Sequence, residues 1–190
     1  MKKIIIAFVF CAFVSYANSQ DVQKWKITDI EKLMQVNKDS GDILVINFWA
    51  TFCKPCVAEI PSFINVTNKY KAHGKDLNAV DVKLHLVSLD LPAAFPAKIA
   101  AFAKEKKFNA ALSWLEETNA DYFCPKIDTS WSGSIPATLI INTRTGNRQF
   151  TEGEMTAREF ELKLRAVMNG DKAVPGGPAM IKTGDADSKD

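Results

Sequence analysis

Apolar residues fall along the chain in two kinds of run. Ile43-Leu-Val-Ile-Asn-Phe48 is nearly continuous and follows a Ser40-Gly41-Asp42 turn, which predicts a strand buried on both faces. From Cys56 to Tyr70, Val57, Ile60, Phe63, Ile64 and Tyr70 recur at helical spacing, with Pro61 expected to kink that helix near its first turns. Val82 to Leu89 alternates Val82, Leu84 and Leu86 with Lys83 and His85, predicting a second strand. Ile99, Phe102 and Ala103 mark an amphipathic helix over Pro96 to Phe108, and Ala111 to Leu115 reads as a third strand. Pro136 introduces a strand over Ala137 to Asn142, followed by a Thr143-Arg-Thr-Gly146 turn and a partner strand through Phe150. A final helix spans Thr156 to Met168, and Trp25 to Val36 adds a strand and a short helix on one side. Alternating strands and helices that end in a hairpin make an α/β domain with a mixed sheet. No internal repeat interrupts it.

The two ends differ from this body. Lys2 and Lys3 precede an apolar run from Ile4 to Val14, with small residues at Ala17 and Ser19. Residues 1–19 are therefore expected to be a signal peptide cut ahead of Gln20, or after Ala17, with an uncleaved anchor as the alternative. A lipoprotein cut at Cys11 fits less well, because bulky Phe10 stands where a small residue belongs. The predicted location is periplasmic or otherwise extracytoplasmic, where disulfides persist. Residues 170–190 mix glycine, proline and charge without a period and read as a flexible tail, leaving 20–169 as the domain.

Composition narrows the function classes. The 190 residues are 47% apolar and 24% charged, the balance of a soluble globular protein rather than a disordered or multi-span one. The formal charge of +2 falls to zero without residues 1–19, because Lys2 and Lys3 are the only charges there. A neutral chain carries no electrostatic footprint for nucleic acid or an anionic membrane surface.

The chemistry concentrates in Phe48-Trp-Ala-Thr-Phe-Cys53-Lys54-Pro55-Cys56. Two cysteines separated by two residues, where a buried strand passes into a helix, can close a disulfide ring and reopen it. A thiol at a helix N-terminus meets unpaired N–H groups and the positive end of the helix dipole, which favour the thiolate. Cys53 is expected to be the exposed attacking sulfur and Cys56, one turn inside, the buried resolving thiol. Lys54 adds positive charge and Pro55 stiffens the turn. Half of a zinc site is the first alternative, but no second pair exists, and His73 and His85 lack ligand spacing. A static staple is the second, though so short a loop stabilises weakly. No metal and no cofactor are expected.

The run Asn47-Phe-Trp-Ala-Thr-Phe-Cys-Lys-Pro-Cys56 resembles the active-site segment of the thioredoxin superfamily, most closely the exported thiol–disulfide oxidoreductases of the TlpA and ResA kind. Glu59-Ile60-Pro61 after Cys56 matches that branch's Cys-x-x-Glu-x-Pro pattern, and Ser134-Ile-Pro-Ala-Thr138 matches the superfamily's cis-proline loop. The resemblance implies a thioredoxin fold: a central mixed β-sheet flanked by helices, with an N-terminal extension and a helical insertion around Pro96 to Phe108. It places Ile135 and Pro136 opposite the dithiol as substrate-binding residues, with Trp49, Lys54 and Pro55 beside them.

It also gives Glu59 the role of taking a proton from Cys56, against the alternative of a solvated surface glutamate. Asn47 stands where thioredoxins proper carry a buried aspartate, and Phe52 where the family usually has tryptophan. Cys124 reads as a buried core residue or as a second resolving thiol, and Trp131 as groove-lining or core.

The implied activity is reduction of disulfides in exported client proteins, with a membrane electron donor restoring the dithiol. Alternatives are an oxidase or isomerase on the same scaffold, or a binding module without catalysis. A peroxidase fits less well, because Thr51 lies two residues before Cys53 rather than three.

Overall fold

A computed structural model describes residues 21–35, 42–70 and 81–170. The expected signal peptide, Cys11, Val36, the start of the Ser40-Gly41-Asp42 turn, His73 and the tail beyond Gly170 lie outside these residues.

The described residues build six strands, β1 (Val22–Trp25), β2 (Ile43–Trp49), β3 (Val82–Ser88), β4 (Ala111–Leu115), β5 (Ala137–Asn142) and β6 (Arg148–Glu152). Five helices accompany them: α1 (Ile27–Leu33), α2 (Lys54–Lys69), α3 (Ala97–Glu105), α4 (Ala120–Ile127) and α5 (Ala157–Asn169), with a short 3-10 turn at Pro92–Ala94. The sheet order is β1-β4-β3-β2-β5-β6. β1, β4, β3 and β2 run parallel, while β5 and β6 run antiparallel to their neighbours, so the sheet is mixed as the sequence predicts.

All seven residues of β2 are buried because both faces of the sheet are covered. Its odd residues Ile43, Val45 and Trp49 join a core with Ile60 and Phe63 of α2, Ile99 of α3 and Phe160 of α5. Its even residues Ile46 and Phe48 join a second core with Ile27 and Ile30 of α1 and Phe123 and Ile127 of α4. This is the period-2 alternation of a strand, read from both sides.

Two elements depart from the sequence expectation. The N-terminal strand lies at Val22–Trp25, at the near edge of the predicted stretch, because it pairs with β4 rather than following its own apolar pattern. Helix α4 was not predicted: it has eight residues, Pro125 interrupts its hydrogen-bonding potential, and only Phe123, Cys124 and Ile127 mark its buried side. Pro61 lies within α2, which runs through it to Lys69.

Helices α2 and α5 lie together against the sheet, where the rings of Phe63 and Phe160 stack at 4.0 Å. The Thr156 hydroxyl caps α5 by accepting from the Glu159 N–H, Glu159 returns the bond to Thr156, and Gly170 closes the helix in the left-handed region at φ 77°. Removing a fully buried aromatic ring from this contact leaves a cavity that close-packed neighbours fill only partly. Phe160→Ala is expected to lower the unfolding free energy by about 3–5 kcal/mol in urea denaturation, with a loss below about 1 kcal/mol contradicting the packing described here.

Candidate active site

β2 ends at Trp49, and the Ala50–Phe52 turn carries the chain into α2, with the Cys53 N–H donating to the Ala50 carbonyl at 3.0 Å. Cys53 is the N-cap residue of α2 and is disulfide-bonded to Cys56. The Cys56 N–H donates to Cys53 Sγ at 3.3 Å, so the sulfur occupies the place where a capping oxygen ordinarily satisfies a free helix N–H. Lys54 and Pro55 occupy the first turn of α2 and are exposed. Cys56 is fully buried, but Cys53 keeps only 8% of its surface, less than the sequence suggests. Phe52 beside it is 69% exposed.

The neighbouring loop accounts for part of that cover. The Ile135 carbonyl oxygen lies 3.8 Å from Cys53 Sγ, and the Ile135–Pro136 peptide bond is cis. Glu152 fixes this loop by accepting from the N–H groups of Ser132 at 3.1 Å and Ser134 at 2.8 Å, and from the Ser132 hydroxyl. These bonds, the Ser132 hydroxyl foremost, hold the Glu152 carboxyl below the usual range. Trp131 braces the loop from beneath. Its Nε1 donates to the Ser134 carbonyl at 2.9 Å and its ring packs on Phe48 at 4.6 Å, so it is a core residue rather than a groove wall.

Trp49 departs from its expected place at the substrate groove. It is fully buried, with its ring edge-on to Phe108 at 5.6 Å, because the alternation of β2 turns it into the core under α2 and α3. Cys124 is also buried, on α4, and burial followed by the charges of Glu152 and Asp121 pushes its thiol up to about 11. Such a thiol stays protonated and unreactive at neutral pH.

Glu59 lies one turn along α2 from Cys56 and is 4% exposed, which removes the solvated alternative. Its Oε1 accepts from Asn47 Nδ2 at 2.9 Å and its Oε2 from the Met155 N–H at 3.0 Å. Burial pushes the carboxyl up to about 7, Glu154 adds to the rise, and the two hydrogen bonds oppose it. Asn47 also donates to Thr138 Oγ1 at 3.0 Å, its opposite number across the β2–β5 pairing. In the sequence Asn47 shows only as the replacement of an aspartate; its hold on Glu59, and the parts of Thr138 and Met155, depend on register and are not legible there. Among the described residues no cluster of three or more His, Cys, Asp or Glu could hold a metal ion.

Comparison with known proteins follows the same lines. A family model described as the AhpC/TSA family matches residues 17–145. Thiol-disulfide oxidoreductase ResA of Bacillus cereus (strain ZK / E33L) is 31% identical over 93 residues, 42% of this chain and 54% of that protein. ResA of Bacillus subtilis (strain 168) is 29% identical over 164 residues, 86% of this chain and 83% of that protein. The match thus spans about half the length of the first relative and most of the second. A crystal structure of a thioredoxin-related protein from Neisseria meningitidis serogroup B shares the fold, with a TM-score of 0.54 at 21% identity over 68% of this chain and 87% of that one. The chain belongs to the AhpC/TSA family and is similar to proteins named thiol–disulfide oxidoreductase ResA.

Proposed function

We propose that the protein is an extracytoplasmic thiol–disulfide oxidoreductase that reduces disulfides in exported client proteins. The observation that carries this reading is the position of Cys53 Sγ, which caps α2 and faces the Ile135 carbonyl, with Cys56 buried behind it. In the dithiol form the Cys53 thiolate attacks one sulfur of a client disulfide. A Cys53–client bond forms, the client S–S bond breaks, and the departing sulfur takes up a proton. Glu59 then accepts the proton of Cys56. The Cys56 thiolate attacks Cys53 Sγ, the Cys53–client bond breaks as the Cys53–Cys56 disulfide closes, and the second client sulfur leaves as a thiolate that takes up a proton. Two electrons pass to the client, and a membrane electron donor returns two to the protein.

Ile135 and Pro136 bind the extended client backbone, and Lys54 and Pro55 lie at the edge of the same exposed helix start. The neutral mature chain and its expected export support a protein client rather than nucleic acid, and the ResA relatives support the reaction class. The direction of transfer is tested by equilibrating the pair in glutathione buffers. A potential near about −270 mV supports the reductase, and one near about −120 mV makes the protein an oxidant instead.

The two cysteines are expected to separate the half-reactions. Cys56→Ser accumulates the Cys53–client mixed disulfide on a non-reducing gel, whereas Cys53→Ser forms none. An equal yield of adduct from both variants would assign the attack to the wrong sulfur.

Glu59→Gln is expected to slow release of the mixed disulfide by about 100-fold at pH 8, the range of general-base catalysis, with little change at pH 5. The same carboxyl couples to stability. Its folded pKa near 7 lies above the unfolded 4.5, so the stability it contributes is full below about pH 4.5 and lost as pH rises through about 7. Urea denaturation at pH 5 and pH 8 is expected to show a fall on the order of 3 kcal/mol in the parent that Glu59→Gln lacks. An identical fall in both proteins would mean that Glu59 does not titrate in this window.

A further inference from the structure

Asp90, two residues past β3, is 5% exposed and takes no part in the exchange just described. Its Oδ2 accepts from the Thr51 N–H at 3.0 Å and the Ser88 hydroxyl at 2.7 Å, and its Oδ1 from the Thr51 hydroxyl at 2.5 Å. Its own N–H donates back to Ser88 Oγ at 3.1 Å, and its carbonyl accepts from Trp114 Nε1 at 2.8 Å. The adjoining Leu89 N–H donates to the Trp49 carbonyl at 2.8 Å. The C-terminal ends of β2 and β3 therefore meet at one buried carboxylate, and β4 reaches the backbone carbonyl of the same residue. Burying a carboxylate is costly unless donors surround it, and here three donors do.

What Asp90 grips is the turn that carries the nucleophile. Thr51 is held through both its backbone and its side chain, and two residues later Cys53 takes the extended conformation, φ −84° and ψ 97°, that lets its sulfur cap α2. In the disulfide form the S–S bond itself keeps Cys53 against the first turn of α2. Once the bond is cleaved that tether is gone, and the turn must hold the sulfur in the field of the helix N-terminus.

We propose that Asp90 is a positioning residue for disulfide exchange, holding the Thr51 turn so that Cys53 of the dithiol form stays at the cap of α2. The inference rests on the exchange reading of the dithiol. It differs from a role in folding alone, because it acts more strongly on the dithiol than on the disulfide form and so biases the equilibrium between them.

The test uses the full chain, with Asp90→Ala and Asp90→Asn, equilibrated in glutathione buffers and read by trapping Cys53 and Cys56 followed by peptide mass analysis. Each cycle balances as protein disulfide plus two glutathione thiols giving protein dithiol plus glutathione disulfide. Asp90→Ala is expected to shift that constant about tenfold toward the protein disulfide, a potential about 30 mV more negative. Alkylation of Cys53 at pH 7 should slow about tenfold, and Asp90→Asn, which keeps one acceptor for the Thr51 N–H, should fall between. A constant within about twofold of the parent, or a shift toward the dithiol, overturns the proposal. If Asp90→Ala does not fold, Thr51→Val removes one of the same bonds and is expected to shift the constant about threefold in the same direction; an unchanged constant overturns the proposal equally. Reduction of insulin disulfides by the parent chain tests the exchange reading separately. A parent without that activity ends the reading itself, whereas an active parent with an indifferent Asp90→Ala ends only the role of Asp90.

Discussion

Strand β2 is covered on both faces, and that double burial dictates where everything else at the site can lie. Its odd residues must meet α2, α3 and α5, and its even residues α1 and α4, so a slip of one position would exchange the two cores at once. The strand can therefore end in only one place, and the turn that follows delivers Cys53 to the start of α2. β5 pairs antiparallel to β2 with Ala137 opposite Phe48, which brings the Ile135–Pro136 loop to the same end. β3 and β4 run parallel to β2 and stop there too, which brings Asp90 and Trp114. Loops far apart in sequence converge on one sulfur because strand direction and register leave them nowhere else to go.

The carboxylates around this point show how the same group is steered in opposite directions. Glu59 has two hydrogen-bond donors and almost no water, and desolvation outweighs the donors, so its proton is held to about neutral pH. Glu152 sits at the surface with backbone and hydroxyl donors from Ser132 and Ser134, and there the donors prevail. One is suited to moving a proton, the other to fixing a loop, and the difference lies in solvent rather than in residue type.

Much of this was legible in the sequence. The near-continuous apolar run of β2, the third strand at Ala111–Leu115 and the final helix follow from hydrophobic pattern, and the dithiol from its spacing at a strand-to-helix junction. Trp49 lies inward, not at the groove, because the strand alternation that carries it into the core overrides its nearness to the cysteines in sequence. Helix α4 was hidden by its length and by Pro125. The partners of Glu59 could not be read, since Asn47 reaches it from a strand and Met155 from the segment before α5. Asp90 lies beyond local pattern altogether: nothing in Ser88-Leu-Asp90 announces a bond to Thr51, which depends on how β3 and β2 run side by side.

The complete burial of Cys56 has a kinetic consequence. In the exchange proposed above, the partner that oxidises the pair and the partner that recharges it must both reach the protein through Cys53, one at a time. On that reading donor and acceptor compete for a single doorway, which makes the proposed turnover a ping-pong alternation in which an excess of either partner in the wrong redox state inhibits the other.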